Sequence, residues 1–198
     1  MYDAITDPYC YPGTTVLKNI PGIKTTKALA QFEAIATAAR ADESLPKGRL
    51  SVRHYRTIHR HLFQDVYAWA GRFRTVRISK DGSAFCYPEH IAREMSALFA
   101  DLKEKNFLCG VPANQFAREA AWFLSTLNAI HPFREGNGRA QIAFLALVAD
   151  HAGHPLHLEE LDPAAFMAAM IASFRKGDAP LARQIGCLIR PRQKPGRG

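Results

Sequence analysis

Cysteine is scarce in this 198-residue chain: Cys10, Cys86, Cys109 and Cys187 are the four, none lies in a CxxC pair, and the spacings are wide and irregular. A disulfide framework or a zinc ribbon needs closer pairing, so both are excluded. Reduced thiols and folding in a reducing cytoplasm are expected. Long apolar runs are lacking as well. The longest, Ile142–Ala149 and Ala164–Ala172, are too short to cross a bilayer. The first seven residues carry two acids and no basic stretch leading into an apolar one, so no cleavable secretory signal is expected. Acidic side chains are also few, 18 against 26 basic ones, which leaves a net charge of +8.

What is present is ordinary for a soluble globular protein, with 47% hydrophobic and 22% charged residues. The length suits one domain with one core, spanning 1–189, followed by a disordered basic tail, 190–198. The charge is unevenly placed. Residues 49–80 hold eight Arg or Lys and one acid, Asp65, and the tail adds Arg190, Arg192, Lys194 and Arg197. A functional reading is attraction to something anionic, whether nucleic acid, nucleotide phosphates or an acidic protein, but the plainer reading of a solvated helix face with a frayed basic tail carries more weight. His54, His59 and His61 are expected to join that face. No aromatic residues interleave the tail, which argues against direct nucleic-acid binding.

The periodicity predicts a mainly helical fold. Residues 1–23 read as an ordered loop rich in Pro, Gly, Tyr and Thr. Thr25 or Thr26 caps a helix to about Arg40, with Leu29, Phe32, Ile35 and Ala36 on one face. A second helix runs from Ser51 to about Trp69. Residues 72–87 change to near alternation around the turn Lys80-Asp81-Gly82-Ser83, and read as one hairpin. Helices then follow from Pro88, Pro112, about Arg139, Pro163 and Pro180. The stretch Ala143–Ala149 has no polar face and predicts a helix buried on all sides. Trp69 and Trp122 are expected in the core. His151, His154 and His157 invite a zinc reading, which Gly153 and Pro155 oppose by breaking the helix that would align them.

The chemistry gathers in His131-Pro-Phe-Arg-Glu-Gly-Asn-Gly-Arg139, between two helices. Gly136 and Gly138 free the backbone to aim N–H groups at one spot, at a helix N-terminus that favours an anion. Arg139 adds a fork of donors, and Glu135 is a hard oxygen ligand suited to Mg²⁺. His131 titrates near neutrality and can accept a proton. Together they form a phosphate cradle with a base at its lip.

This segment resembles the signature of Fic-domain proteins, HxFx(D/E)GNGRxxR. The resemblance extends to DPYCYPGTTVLKNIPGI near the N-terminus, to YAWAGRFRTVRISKDGSAFCYPEHI over residues 67–91, and to the Ala152-Gly153-His154 turn. It implies a compact helical domain with one hairpin flap, and an enzyme that transfers AMP from ATP to a hydroxyl of a target protein. By that resemblance His131 deprotonates the hydroxyl, Phe133 anchors the loop and Glu135 binds Mg²⁺. Gly136, Asn137, Gly138 and Arg139 hold the phosphates. Lys80 and Asp81 at the flap tip reach the nucleotide, while Ser79, Gly82, Ser83, Ala84 and Phe85 hold the target by strand addition. One position departs from the pattern: Ile142 stands where the second motif arginine falls. Arg134 and Gln141 are nearby, but Gln141 lies about 100° round the helix from position 142. The departure leaves a different donor, or a catalytically weak binding module, as alternatives. The family's inhibitory motif [S/T]xxxE[G/N] is absent. The resemblance therefore implies either a toxin whose small antitoxin supplies that helix, or part of an effector delivered into a host cell by a secretion system.

Overall fold

A computed structural model of the chain describes residues 7–80 and 83–189. Among them are seven α-helices and one two-stranded antiparallel sheet. The chain divides into two compact units, Met1–Ala92 with Pro132–Ala140 and Arg93–His131 with Gln141–Gly198. Two of the three boundaries fall inside α3 (Pro88–Glu104) and α5 (Asn137–Ala152), and the third lies between His131 and Pro132. The tail 190–198 lies outside the described residues.

In the first unit, α1 (Thr26–Ala41) packs on α2 (Val52–Phe63). Thr25 caps α1 by accepting from the Ala28 N–H at 3.4 Å, and Ser51 caps α2 by accepting from the His54 N–H at 3.3 Å. The apolar face expected for α1 holds only in part. Leu29 is buried, but Ile35 is 73% exposed. The inward row is Leu29, Glu33 and Thr37, spaced by four residues, because α1 turns two polar side chains toward the first unit's interior.

Helix α2 ends at Phe63, short of the expected Trp69. The Val66 and Tyr67 N–H groups both turn back to the Phe63 carbonyl, at 3.0 and 2.9 Å, and the Val66 carbonyl accepts from Ile20 at 2.8 Å. That tight turn carries Val66 and Tyr67 into the core. The histidines of α2 also depart from expectation, since all three point inward to backbone groups. His54 Nε2 lies 2.6 Å from the Pro46 carbonyl, His59 Nε2 2.9 Å from the Glu135 carbonyl, and His61 Nε2 2.8 Å from the Arg40 carbonyl. Buried polar groups need partners, and backbone carbonyls supply them here.

The hairpin is shorter than the 72–87 reading. Strands β1 (Ser79–Lys80) and β2 (Ser83–Ala84) pair with Ser79 opposite Ala84 and Lys80 opposite Ser83. The Phe85 N–H adds a bond to Ile78 at 3.3 Å. Below that, the ladder stops because Arg74 takes the carbonyls of Val76, at 2.7 Å, and Cys86, at 2.5 Å. The tip residues Asp81 and Gly82 lie outside the described residues.

In the second unit, α7 (Ala179–Ile189) packs against α4 (Ala113–Ile130) and α6 (Pro163–Lys176). Helix α4 buries Phe116, Ala120, Phe123, Leu124 and Leu127, as its periodicity dictates. Asp162 caps α6 through two backbone N–H groups, at 2.9 and 3.0 Å. Helix α5 is not enclosed on all sides. Phe144, Leu145, Val148 and Ala149 are buried, whereas Ile142, Ala143, Ala146 and Leu147 are half-buried. Trp122 is a further correction: it is 40% exposed, with the Lys105 ammonium 4.5 Å above its ring. Trp69, in the first unit, is half-buried and stacks on Tyr67 at 4.4 Å. His151, His154 and His157 go to separate partners: Phe107, the Val111 carbonyl and Glu159. Among the described residues no three His, Cys, Asp or Glu side chains gather to hold a metal.

Candidate active site

His131 ends α4 as its cap residue, in left-handed backbone at φ 48°, with its N–H on the Leu127 carbonyl at 3.0 Å. A non-glycine residue in that region is uncommon, and here it stops the helix at the first residue of the motif. The Nδ1 atom is buried.

The loop that follows is held from four sides within the first unit. The Arg74 N–H donates to the Pro132 carbonyl at 2.9 Å. Phe133 is fully buried and stacks on His59 at 3.7 Å between ring centroids, with Tyr55 at 5.4 Å. Arg134 makes a fork to Asp7 Oδ2, 2.9 Å from Nε and 2.7 Å from Nη2. Arg134 is therefore tied to the N-terminal segment. Asn137 closes the loop with both ends of its amide: Oδ1 accepts from the Phe133 N–H at 2.9 Å, and Nδ2 donates to the Phe133 carbonyl at 2.8 Å. Its side chain is buried and clamps the loop.

Gly136 is required twice over. Its φ is +81°, and a Cβ there would lie 2.2 Å from the Phe63 ring. Gly138 instead has open space around its missing Cβ. The first hydrogen bond of α5 runs from Ala140 to the Gly136 carbonyl at 3.2 Å. The N–H groups of Asn137, Gly138 and Arg139 are the orphan donors of that first turn, which is where an anion is favoured. Glu135 Oε1 accepts from the Gly136 N–H at 2.8 Å. Its second oxygen has no partner among the described residues. Arg139 is paired with Glu33 of α1 and donates to Thr37 Oγ1 at 3.0 Å.

His59 was missed in the sequence as a site residue. Its Nδ1 accepts from the Gly71 N–H at 2.9 Å, so Nε2 carries the proton and donates to the Glu135 carbonyl. Burial holds its pKa down to about 4. The signal was available: His59 falls in the inward row Tyr55, His59, Leu62, Val66. Arg74 belongs by sequence to the basic stretch 49–80, but it is buried, and burial lowers its pKa.

Residues 49–149 match the Fic/DOC family. The chain belongs to that family. It is 48% identical over 189 residues to a probable protein adenylyltransferase of Sinorhizobium fredii, covering 95% of this chain and 98% of that protein. It is 37% identical over 165 residues to the probable protein adenylyltransferase Fic of Escherichia coli, covering 82% of each. Among solved structures it is similar to the Bartonella tribocorum effector BepC with bound AMPPNP, at a TM-score of 0.82 and 27% identity, over 91% of this chain and 95% of that one. Within the Fic frame, Ser79, Ala84 and Phe85 lie in the described part of the flap, Lys80 and Ser83 pair through their backbones, and Asp81 and Gly82 are not described.

Proposed function

We propose that this Fic protein is a protein adenylyltransferase that transfers AMP from ATP to a hydroxyl side chain of a target protein. The observation that carries the reading is the loop geometry: orphan N–H groups at the start of α5, with the Arg139 guanidinium and the free oxygen of Glu135 on the same short segment. The relatives named as adenylyltransferases, and the neighbour that binds AMPPNP, support it.

The residues fit a magnesium nucleotide. Glu135 has one oxygen uncommitted, and no three-ligand cluster competes among the described residues. Mg²⁺ commonly takes one or two carboxylates and completes its shell with phosphates and water. When bound, it neutralises phosphate charge. The chain does the positioning. The Gly138 and Arg139 N–H groups receive phosphate oxygens, and Arg139 adds its fork. The target hydroxyl oxygen attacks the α-phosphorus, a new P–O bond forms, and the α–β bridging bond breaks to release pyrophosphate. His131 takes the hydroxyl proton. The edge of the short hairpin at Ser79–Ala84 receives the target segment by backbone pairing.

The absence of [S/T]xxxE[G/N] from the sequence supports a separate small antitoxin as the regulator. The similarity to Bartonella effector domains supports delivery into a host cell as an alternative to action in the bacterial cytoplasm. Among the described residues no helix is long and apolar enough to cross a membrane. The test is mass spectrometry of lysate proteins incubated with ATP and Mg²⁺. Wild type adds AMP to a hydroxyl residue, and His131→Ala abolishes the adduct while keeping its helical circular dichroism. Equal labelling by folded His131→Ala refutes the mechanism.

A further inference from the structure

The motif arginine is held by a residue that no motif contains. Arg139 Nη2 pairs with Glu33 Oε1, its Nη1 donates to Thr37 Oγ1 at 3.0 Å, and the guanidinium lies 4.6 Å from the centroid of the Phe63 ring. Glu33 is committed on both oxygens, since Oε2 accepts from the Tyr67 hydroxyl. Thr37 in turn donates to the Glu33 carbonyl at 2.7 Å. The Glu33 side chain is 13% exposed and that of Arg139 is 40% exposed. An arginine has five N–H donors, and Glu33 and Thr37 occupy two of them. Burial and the bond to Glu33 push the Tyr67 phenol up, so it stays a neutral donor.

We infer that Glu33 is a positioning residue: from α1 it pre-orients Arg139 so that the free edge of the guanidinium is set for phosphate oxygens. This rests on the reading of Arg139 as a phosphate ligand. An unheld arginine samples many rotamers and loses that freedom when a phosphate arrives; one already fixed on two sides loses less. The cost is partial neutralisation of its charge. Tyr67 reduces that cost by drawing charge from the other carboxylate oxygen.

Calorimetry with ATP–Mg²⁺, ADP, AMP and adenosine tests it on the full chain. Glu33→Ala is expected to weaken ATP and ADP about tenfold and to leave adenosine unchanged. Glu33→Gln keeps an acceptor for Arg139 and is expected to stay within about threefold of wild type. In an Arg139→Ala background, Glu33→Ala is expected to have no further effect on ATP, because the two act through one contact. Thr37→Val, which leaves Glu33 in place, should give a smaller loss confined to the phosphorylated ligands. It serves as the test if Glu33→Ala does not fold. Unchanged or tighter ATP binding by Glu33→Ala overturns the inference, and so does an equal loss for ATP and adenosine. Wild type that binds ATP but adds no AMP to protein refutes the proposed function and leaves positioning to the binding data. Wild type that binds no ATP refutes both.

Discussion

At the scale of single residues, the loop is a set of side chains with little tolerance. Gly136 sits at φ +81° with the Phe63 ring where a Cβ would go. Gly136→Ala therefore adds backbone strain to overpacking and is expected to cost about 3 kcal/mol or more. Urea unfolding monitored by circular dichroism measures it, and a loss under about 1 kcal/mol contradicts the packing described. Asn137 shows why a motif residue's role cannot be read from its type alone. An amide beside a phosphate loop is a natural phosphate ligand, but here both ends of it are taken by the Phe133 backbone. The sequence contains the residue, while the partner depends on the loop's closure.

At the scale of elements, periodicity located the helices well and their polar partners poorly. Helices α4 and α6 match their expected spans to within a few residues, because proline, an Asp cap and an apolar row agree. Helix α1 has the right ends and the wrong inner face. Its apolar pattern is diluted by Ile35 outside and Glu33 inside, and the glutamate is explained by Tyr67 and by Arg139, 106 residues along the chain. The flap reads as a hairpin, but its length was not legible, since Arg74 captures two of its carbonyls. Helix α5 carries the family's departure. Ile142 is half-buried on its second turn, so a long side chain can keep its charge near water. Ile142→Arg is expected to raise AMP transfer from ATP by about tenfold for each ~1.4 kcal/mol recovered in the transition state. The measurement is initial labelling rate with ATP, after circular dichroism shows the variant folded. An unchanged or lower rate in a folded variant removes the idea that position 142 limits the outer-phosphate contact.

At the scale of the whole molecule, the buried histidine couples stability to pH. His59 is neutral when folded, with its pKa depressed to about 4 by burial, while the unfolded chain takes the proton near the ordinary value of 6.5. Its contribution is complete above pH 6.5 and is lost as pH falls from there to about 4, a total of about 3 kcal/mol. Denaturation at pH 7, 6 and 5 is expected to show a steeper decline for wild type than for His59→Gln. Parallel declines would mean that His59 is not neutral in the fold. The site as a whole was legible because its chemistry is packed into nine consecutive residues, His131 to Arg139. Its supports were not, because Asp7, Glu33, His59 and Arg74 come from four distant stretches and are ordinary polar residues until the fold joins them.

The first unit is discontinuous, with Pro132–Ala140 returning to Met1–Ala92 after the chain has built part of the second. During synthesis, Tyr55, His59 and Phe73, the rings that surround Phe133 in the finished fold, are made long before Phe133 itself. At about 5–20 residues per second, several seconds separate the two. Throughout that interval the nascent chain has neither its histidine nor its phosphate loop, so an enzyme of this kind is inert until the motif has been made. A fragment ending at Ala92 would remain so permanently.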